Sequence, residues 1–359
     1  MPKKRYLRMD NAKGILIILV VLGHFLLFLQ GKTKLCTNFF YEIYAFHMPA
    51  FTFLSGIFSQ GIFAKEKGGY SFWHLSKVLW LYVIYEIIVF FSEIPAYGMT
   101  TMIPDFFSES GAPWYLLALF FWYMGIPLVD CFGRKDIAWL AVLVSALAGG
   151  YISGLEDFLS LNRVIAFAPF FYAGHIVGPE RLENFLKGRD VSIKANVVRY
   201  ITLGIAVITV VIIGGFMYDY FLPYHDAMFG VSYERFRVHE NQLSFPGILS
   251  DNVWILRLIW YMTSGALTLT FLRLLPDKEL PLITKMGQRT LQIYILHRPV
   301  RDLMLAFGLI TWGDPENPFI LIAVILFCVA LSVVLSMPVF TKLFNLILFP
   351  FRKKQKYTI

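Results

Sequence analysis

Residues 14–29 read Gly14-Ile15-Leu16-Ile17-Ile18-Leu19-Val20-Val21-Leu22-Gly23-His24-Phe25-Leu26-Leu27-Phe28-Leu29. Apart from two glycines and one histidine every residue is apolar. The run is too long for a barrel strand and close to the roughly 20 residues that carry a helix across hydrocarbon. A helix is the default there, because a bilayer holds no water to satisfy bare backbone groups. Lys3, Lys4, Arg5 and Arg8 precede the run and no small-x-small cleavage pattern follows it, so it reads as a retained first span rather than a leader.

Nine comparable runs follow, giving ten expected spans at about 14–30, 39–63, 75–93, 114–130, 137–154, 164–178, 200–217, 252–272, 287–311 and 318–340. Apolar stretches continue from end to end without a Ser/Pro/Gly-rich linker. The expected fold is an all-α integral membrane protein, one bundle of about ten transmembrane helices over residues 1–359, with short basic tails at about 1–12 and 346–359. Composition agrees: 57% of the residues are hydrophobic and 16% charged, too little polar surface to coat a water-soluble globule. A cytosolic enzyme and a disordered chain are thereby excluded. Cys36, Cys131 and Cys328 are widely spaced and odd in number, which suits neither a disulfide framework nor a zinc site.

The net charge of +8 is a matter of orientation rather than of nucleic acid. With the amino terminus inside, 22 Lys and Arg residues fall in the tails and loops on that side, against Lys32, Lys34, Arg163, Arg235 and Arg237 opposite. The positive-inside rule then places both termini in the cytoplasm. The longest external segment, about 218–251, contains His225, Asp226, Glu234, Arg235, Arg237, His239 and Glu240, and suits either a cap that contacts substrate or a solvated connector.

Ionisable groups at membrane depth are costly and usually face a bundle interior, so they are the informative positions. Lys13 and His24 are eleven residues apart, three helical turns plus about 20°, and share one face about 16 Å apart along the axis. Each also has a structural explanation: Lys13 as a snorkelling lysine, His24 as a packing residue. In the ninth span Tyr294, His297, Arg298 and Arg301 fall at i, i+3, i+4 and i+7 and line one stripe. If that helix enters at Gly287, His297 lies about 15 Å deep, comparable with His24. Two imidazoles at one depth point to a single buried site. The second span carries Glu42 and His47 in its outer half and Ser55 in its inner half, with a kink expected at Pro49, and Glu86 and Arg163 add further polar groups. Glu42, His47 and Glu86 equally fit a hydrogen-bonded polar pair between helices. No GxSxG elbow, Walker loop, HExxH or run of metal ligands is present, so neither a serine nucleophile nor a metal centre is expected.

Asp10-Asn11-Ala12-Lys13-Gly14 with Leu22-Gly23-His24 resembles the Arg/Lys-x10-His signature of the acyltransferase-3 family of membrane O-acyltransferases. Phe46-His47-Met48-Pro49-Ala50-Phe51, running into Leu54-Ser55-Gly56, is similar to that family's second-helix segment. Pro113-Trp114-Tyr115-Leu116, Asn162-Arg163 with Pro169-Phe170-Phe171-Tyr172-Ala173-Gly174, and Gly287 to His297 are similar to its later blocks. The set is closest to the subgroup related to bacterial fucose 4-O-acetylases. It departs from the pattern at Lys77-Val78-Leu79-Trp80, where many members carry Arg-x-x-Arg, and no fused SGNH domain is expected beyond Arg352-Lys353-Lys354.

The resemblance implies transfer of an acetyl group from cytoplasmic acetyl-CoA to a hydroxyl of a surface polysaccharide or its lipid-linked precursor, in a bacterial plasma membrane. Acetyl-CoA is the donor, with no metal; the other partners are the sugar acceptor and membrane lipids. Lys13, Asp10, Asn11, Lys77 and Ser55 fall to the donor side. His24 is the expected general base, with a covalent acetyl-His intermediate as the alternative. His297 or Tyr294 is expected at the oxyanion, and Glu42, His47, Arg163, Arg298 and Arg301 in the acceptor vestibule. The rival from another class is a transporter or flippase for a polyprenyl-linked sugar, which would not need acetyl-CoA.

Overall fold

The computed structural model describes residues 5–60, 62, 73–99, 103–108, 111–155, 158–188, 192–238, 252–310 and 316–348. Among these there is no strand, and a lone bridge joins Ser108 to Phe158. The helices are α1 (Leu7–Leu26), α2 (Lys34–Tyr44), α3 (His47–Ile57), α4 (Trp73–Tyr97), α5 (Trp114–Cys131), α6 (Lys135–Gly149), α7 (Leu161–Leu186), α8 (Ile193–Phe216), α9 (Tyr233–Val238), α10 (Trp254–Leu274), α11 (Pro281–Gln288), α12 (Thr290–Ala306), α13 (Pro318–Leu335) and α14 (Pro338–Leu348). Among the described residues five helical stretches are long and apolar enough to cross a membrane: Leu7–Leu26, His74–Tyr97, Trp114–Cys131, Ile193–Asp219 and Trp254–Leu274.

The first of these is the axis of the bundle. Leu16, Ile17, Val21, Phe25 and Leu26 of α1 are fully buried, on several faces at once. At the periphery α8 shows the reverse, leaving Val207, Ile208, Val211 and Ile212 exposed. Such a surface is unfavourable against water and natural against lipid.

Where helices meet most closely, glycine makes the approach possible. A β-carbon on Gly14 would overlap the Ile283 carbonyl, and one on Gly287 would overlap that of Asp10, so α1 and α11 touch backbone to backbone. Gly56 and Gly174 stand in the same relation to the carbonyls of Phe171 and Phe53, joining α3 to α7. Small residues substitute for the missing hydrophobic drive between helices in lipid by letting backbones come into dispersion contact.

Three expected spans differ in detail. The second is two helices, broken at Ala45 and Phe46, and Pro49 causes no kink because it sits in the first turn of α3, where its missing N–H was not needed. The Ala45 carbonyl near the break accepts from the Ser264 hydroxyl of α10, which satisfies a backbone group at depth. The ninth span is likewise divided at Arg289, so His297 lies about 10 Å along α12 from Thr290, not 15 Å from Gly287. In α7 the helix passes through Pro169 and kinks at Gly178 (φ 67°, ψ 168°), just before Pro179. The amino-terminal tail is shorter than expected. Helix α1 starts at Leu7, and Arg8, Asp10 and Asn11 are already buried.

Those buried polar groups hold the N-terminal end of α1 to its neighbours. Asn11 Nδ2 donates to the carbonyls of Pro276 (3.0 Å) and Lys278 (2.8 Å), and Asn11 Oδ1 accepts from Thr284 Oγ1 at 2.6 Å. Arg8 lies 3.7 Å from Glu183, which pairs with Lys187 at 3.1 Å; Lys187 also pairs with Asp277. The hydrogen bond from Lys187 holds the Asp277 carboxyl below its usual range.

Candidate functional site

His24, in the last turn of α1, and His297, midway along α12, face each other with ring centroids 5.0 Å apart and planes tilted by 44°. His297 is fully buried. Its Nδ1 lies 3.2 Å from the Ile293 carbonyl. A carbonyl can only accept, so Nδ1 donates to it, and in the neutral form of the ring Nε2 is left as the acceptor. That Nε2 and Nδ1 of His24 are buried and have no hydrogen-bond partner among the described residues. Buried polar atoms are nearly always paired, with protein groups or with ordered water, so the two ring nitrogens of this facing pair are the atoms placed to hydrogen-bond a further group.

Aromatic groups close the surroundings. The Tyr294 ring is 6.1 Å from that of His297, and Tyr115 and Tyr85 stand 6.1 and 5.2 Å from Tyr294. The Tyr294 hydroxyl donates to the Ala112 carbonyl, and Tyr85 donates to the backbone oxygen of Tyr294 at 2.8 Å. Ser55 of α3 and Tyr115 of α5 share a hydrogen bond of 2.7 Å. On the other side the Tyr44 ring covers Gly23, next to His24, and packs 4.8 Å from His47, whose Nδ1 donates to the Ile43 carbonyl at 2.7 Å.

Lys13 stands on the face of α1 that carries His24. Its ammonium is 2.8 Å from Asp10 and 4.9 Å above the Phe58 ring, and its side chain keeps 23% exposure. Asp10 also binds Arg5 at 2.9 Å. The ammonium is therefore oriented but still accessible to an anion, and Asp10 is what orients it. Lys77 is half-buried near the start of α4.

Not every expected site residue converges on the histidines. Asn11 is occupied in anchoring residues 276–284. Glu42 lies against Gly214 of α8. The Arg163 guanidinium lies 5.7 Å over the Trp114 ring. Arg298 and Arg301 are buried on α12 and held by acids: Arg298 Nη2 is 2.6 Å from Glu93, Arg301 Nε is 2.9 Å from Asp302, and Ser92 donates to Asp302 at 3.0 Å. In the segment expected to be external, about 218–251, His225 Nε2 is 3.5 Å from Asp226 and its ring 5.6 Å from that of Tyr41; His239 and Glu240 lie outside the described residues.

Two parts of the site are absent from the sequence-based expectation. Asp302 closes the ion-pair network, and the signal for it was an acid four residues after Arg298 and adjacent to Arg301. Tyr44 separates His47 from Gly23; a ring three residues before a buried histidine was its only trace.

The helical body thus brings two imidazoles of different helices face to face, with an oriented lysine on the same helix face as one of them. The comparisons give it a family. A family model described as an acyltransferase domain, that of the acyltransferase-3 family, matches residues 6–337, and the chain belongs to this family. The match takes in nearly the whole helical body, including the five stretches long and apolar enough to cross a membrane. The chain is also similar to two curated relatives, both named nodulation protein NolL. That of Mesorhizobium japonicum is 30% identical over 186 residues, 48% of this chain and 48% of the relative. That of Sinorhizobium fredii is 31% identical over 184 residues, again 48% of each. The matched stretch thus spans about half the length of each relative. No solved structure matches the chain.

Proposed function

We propose that the protein is a membrane O-acetyltransferase that moves an acetyl group from cytoplasmic acetyl-CoA to a hydroxyl of a surface polysaccharide or its lipid-linked precursor. The observation that carries the reading is the His24–His297 pair, 5.0 Å apart and with unpartnered ring nitrogens, above a lysine on the same helix face. Ten spans, both termini in the cytoplasm, a bacterial plasma membrane and kinship with the fucose 4-O-acetylase subgroup complete the proposal. The excess of Lys and Arg on the amino-terminal side supports the orientation, and the rhizobial relatives support a bacterial membrane.

The chemistry follows from the atoms. His24 takes the proton of the acceptor hydroxyl as its oxygen attacks the thioester carbonyl, and the tetrahedral oxyanion collapses to the ester, expelling CoA as a thiolate that recovers the proton. The single proton of the attacking hydroxyl goes to His24, so the bare Nε2 of neutral His297 accepts a hydrogen bond from a neighbouring hydroxyl of the acceptor sugar and so orients the substrate. It becomes a donor to the oxyanion only after a proton reaches the pair. The Tyr294 hydroxyl is engaged with Ala112, so its contribution is to fix α12 against the residues before α5. CoA phosphates stay in water at the amino-terminal mouth of α1, within reach of the Lys13 ammonium.

The test of the activity is acetyl-CoA consumption by the purified protein, together with the mass of the surface polysaccharide with and without it. A mass difference of one acetyl group per modified sugar is expected. A polysaccharide of unchanged mass and no binding of acetyl-CoA would leave the transporter reading standing. The orientation is checked in a Cys131→Ser background. A cysteine at exposed Glu234 should react with an impermeant reagent from outside, and one at Gly188 should not; reversed labelling would overturn the two-sided route. Lys13→Ala should raise the KM for acetyl-CoA far more than that of the acceptor. Losing a hydrogen bond from a charged group to phosphate costs about 1.5 to 3 kcal/mol, or roughly 10- to 150-fold. Equal effects on both substrates would assign Lys13 to structure.

A further inference from the structure

Attack of a hydroxyl on a thioester carbonyl places negative charge on the carbonyl oxygen, and catalysis needs a donor aimed at that oxygen before the charge appears. Neither group expected there serves at the outset. The Tyr294 hydroxyl is spent on the Ala112 carbonyl, and Nε2 of neutral His297 is an acceptor. We infer that Tyr44, the last residue of α2, is the missing catalytic residue, and that its hydroxyl donates to the thioester oxygen as the tetrahedral adduct forms. The inference rests on the acyl-transfer reading above and adds to it the source of oxyanion stabilisation.

Of the tyrosines around the two histidines, Tyr85 donates to the Tyr294 backbone oxygen, Tyr115 shares its hydrogen bond with Ser55, and Tyr294 is bound to Ala112. The Tyr44 hydroxyl has no hydrogen-bond partner among the described residues, so its proton is free to be donated. It also stands beside the general base. A β-carbon on Gly23, the residue before His24, would lie 3.5 Å from the Tyr44 hydroxyl oxygen. The carbon of the adduct is bonded to the oxygen whose proton His24 takes, so the oxyanion forms close to that imidazole. The phenol is held in place by rings on three sides, stacked on Phe40 at 4.2 Å, edge-on to His47 at 4.8 Å and tilted against Phe229 at 5.1 Å. A donor that need not reorganise is the kind that lowers a barrier. Charge favours the same place. The guanidinium groups of Arg163, Arg301 and Arg298 lie close enough for their charge to reach the Tyr44 hydroxyl, and those of Arg298 and Arg301 also reach His24. Positive charge around both groups favours an anion formed between them.

In this step the acceptor oxygen bonds to the thioester carbon while His24 takes its proton, and the carbonyl π pair moves onto oxygen, where the Tyr44 O–H meets it. Collapse returns that pair, breaks the C–S bond and releases the thiolate, which recovers the proton from His24. Tyr44 keeps its own proton throughout.

The experiment measures kcat and both KM values for Tyr44→Phe and wild type in lipid nanodiscs, with acetyl-CoA as donor and surface polysaccharide freed of its esters by mild alkali as acceptor. Phe keeps the ring packing and removes a hydroxyl that bonds nothing among the described residues, so the amount of folded protein should match wild type. Loss of one oxyanion donor should lower kcat by about 10² to 10³ and leave both KM values close to wild type. The rise of rate with pH should persist, because His24 still takes the proton. A kcat within about tenfold of wild type overturns the inference. So does a raised KM for the acceptor at unchanged kcat, which would make Tyr44 a binding contact for the sugar. A wild-type protein that neither binds acetyl-CoA nor forms an ester would instead refute the acyl-transfer reading, and the Tyr44 assignment with it.

Discussion

His24→Gln should lower transfer by about 10² to 10⁴, the usual contribution of a positioned general base, while acetyl-CoA binding and the amount of folded protein should stay close to wild type. Gln preserves a polar group of similar reach at a position flanked by Gly23 and the buried Phe25, so no new cavity opens and no apolar group replaces a polar one. What it removes is a lone pair that can hold a proton. The rate of the wild type should therefore rise with pH through a single limb, the signature of an essential base, and the residual activity of His24→Gln should lack it. His297→Gln should show a smaller loss and keep the limb, because its bare Nε2 holds a neighbouring hydroxyl of the acceptor rather than takes the reacting proton. A His24→Gln protein that retains more than about a tenth of the wild-type rate at equal expression would transfer the base to His297.

Much of this site was legible because membrane depth is a one-dimensional coordinate. Counting residues from Lys13 to His24 gives both face and height on a straight helix, and α1 is an unbroken helix over that interval. The same counting on α12 placed His297 at a similar height, although the helix starts at Thr290 rather than Gly287, because the His24–His297 contact depends on how α12 packs on α1 rather than on where it begins. Local breaks were less legible. Pro49 looked like the kink of the second span, yet a proline in a first turn is compatible with a straight helix, and the break falls at Ala45–Phe46, where Ser264, more than two hundred residues away, satisfies a carbonyl. A contact of that kind has no local signature. Nor has the pairing of Arg298 with Glu93, which comes from another helix. Arg298 and Arg301 looked like groups waiting for a sugar; the structure supplies each with a carboxylate.

That pairing leads to the second large effect. Asp302→Ala should destabilise the protein by about 3 to 5 kcal/mol, the cost of removing one partner from a buried ion pair. Asp302 is fully buried, and its carboxylate meets Arg301 Nε at 2.9 Å, Ser92 Oγ at 3.0 Å and Arg298 Nε at 3.6 Å. With Glu93 on Arg298, two cations face two anions, and removing one anion leaves Arg301, 3% exposed, with the Tyr97 hydroxyl as its remaining hydrogen-bond acceptor among the described residues. The guanidinium cannot shed its proton to escape, unlike a lysine in the same position. Burial also shields the pair from salt, so added sodium chloride should not rescue the variant. Asp302→Asn keeps the shape and one acceptor and should fall between wild type and alanine. The double variant Asp302→Ala/Arg301→Ala, which removes the orphaned charge together with its partner, should recover part of the loss. The readout is the temperature at which half of the detergent-solubilised protein loses monodispersity, and a midpoint within a couple of degrees of wild type for Asp302→Ala would refute the network's role. Because α12 carries this clamp and His297 on one helix, the clamp to α4 also sets the position of that imidazole opposite His24. Asp302→Ala protein that remains folded should accordingly transfer more slowly, with its KM for acetyl-CoA little changed.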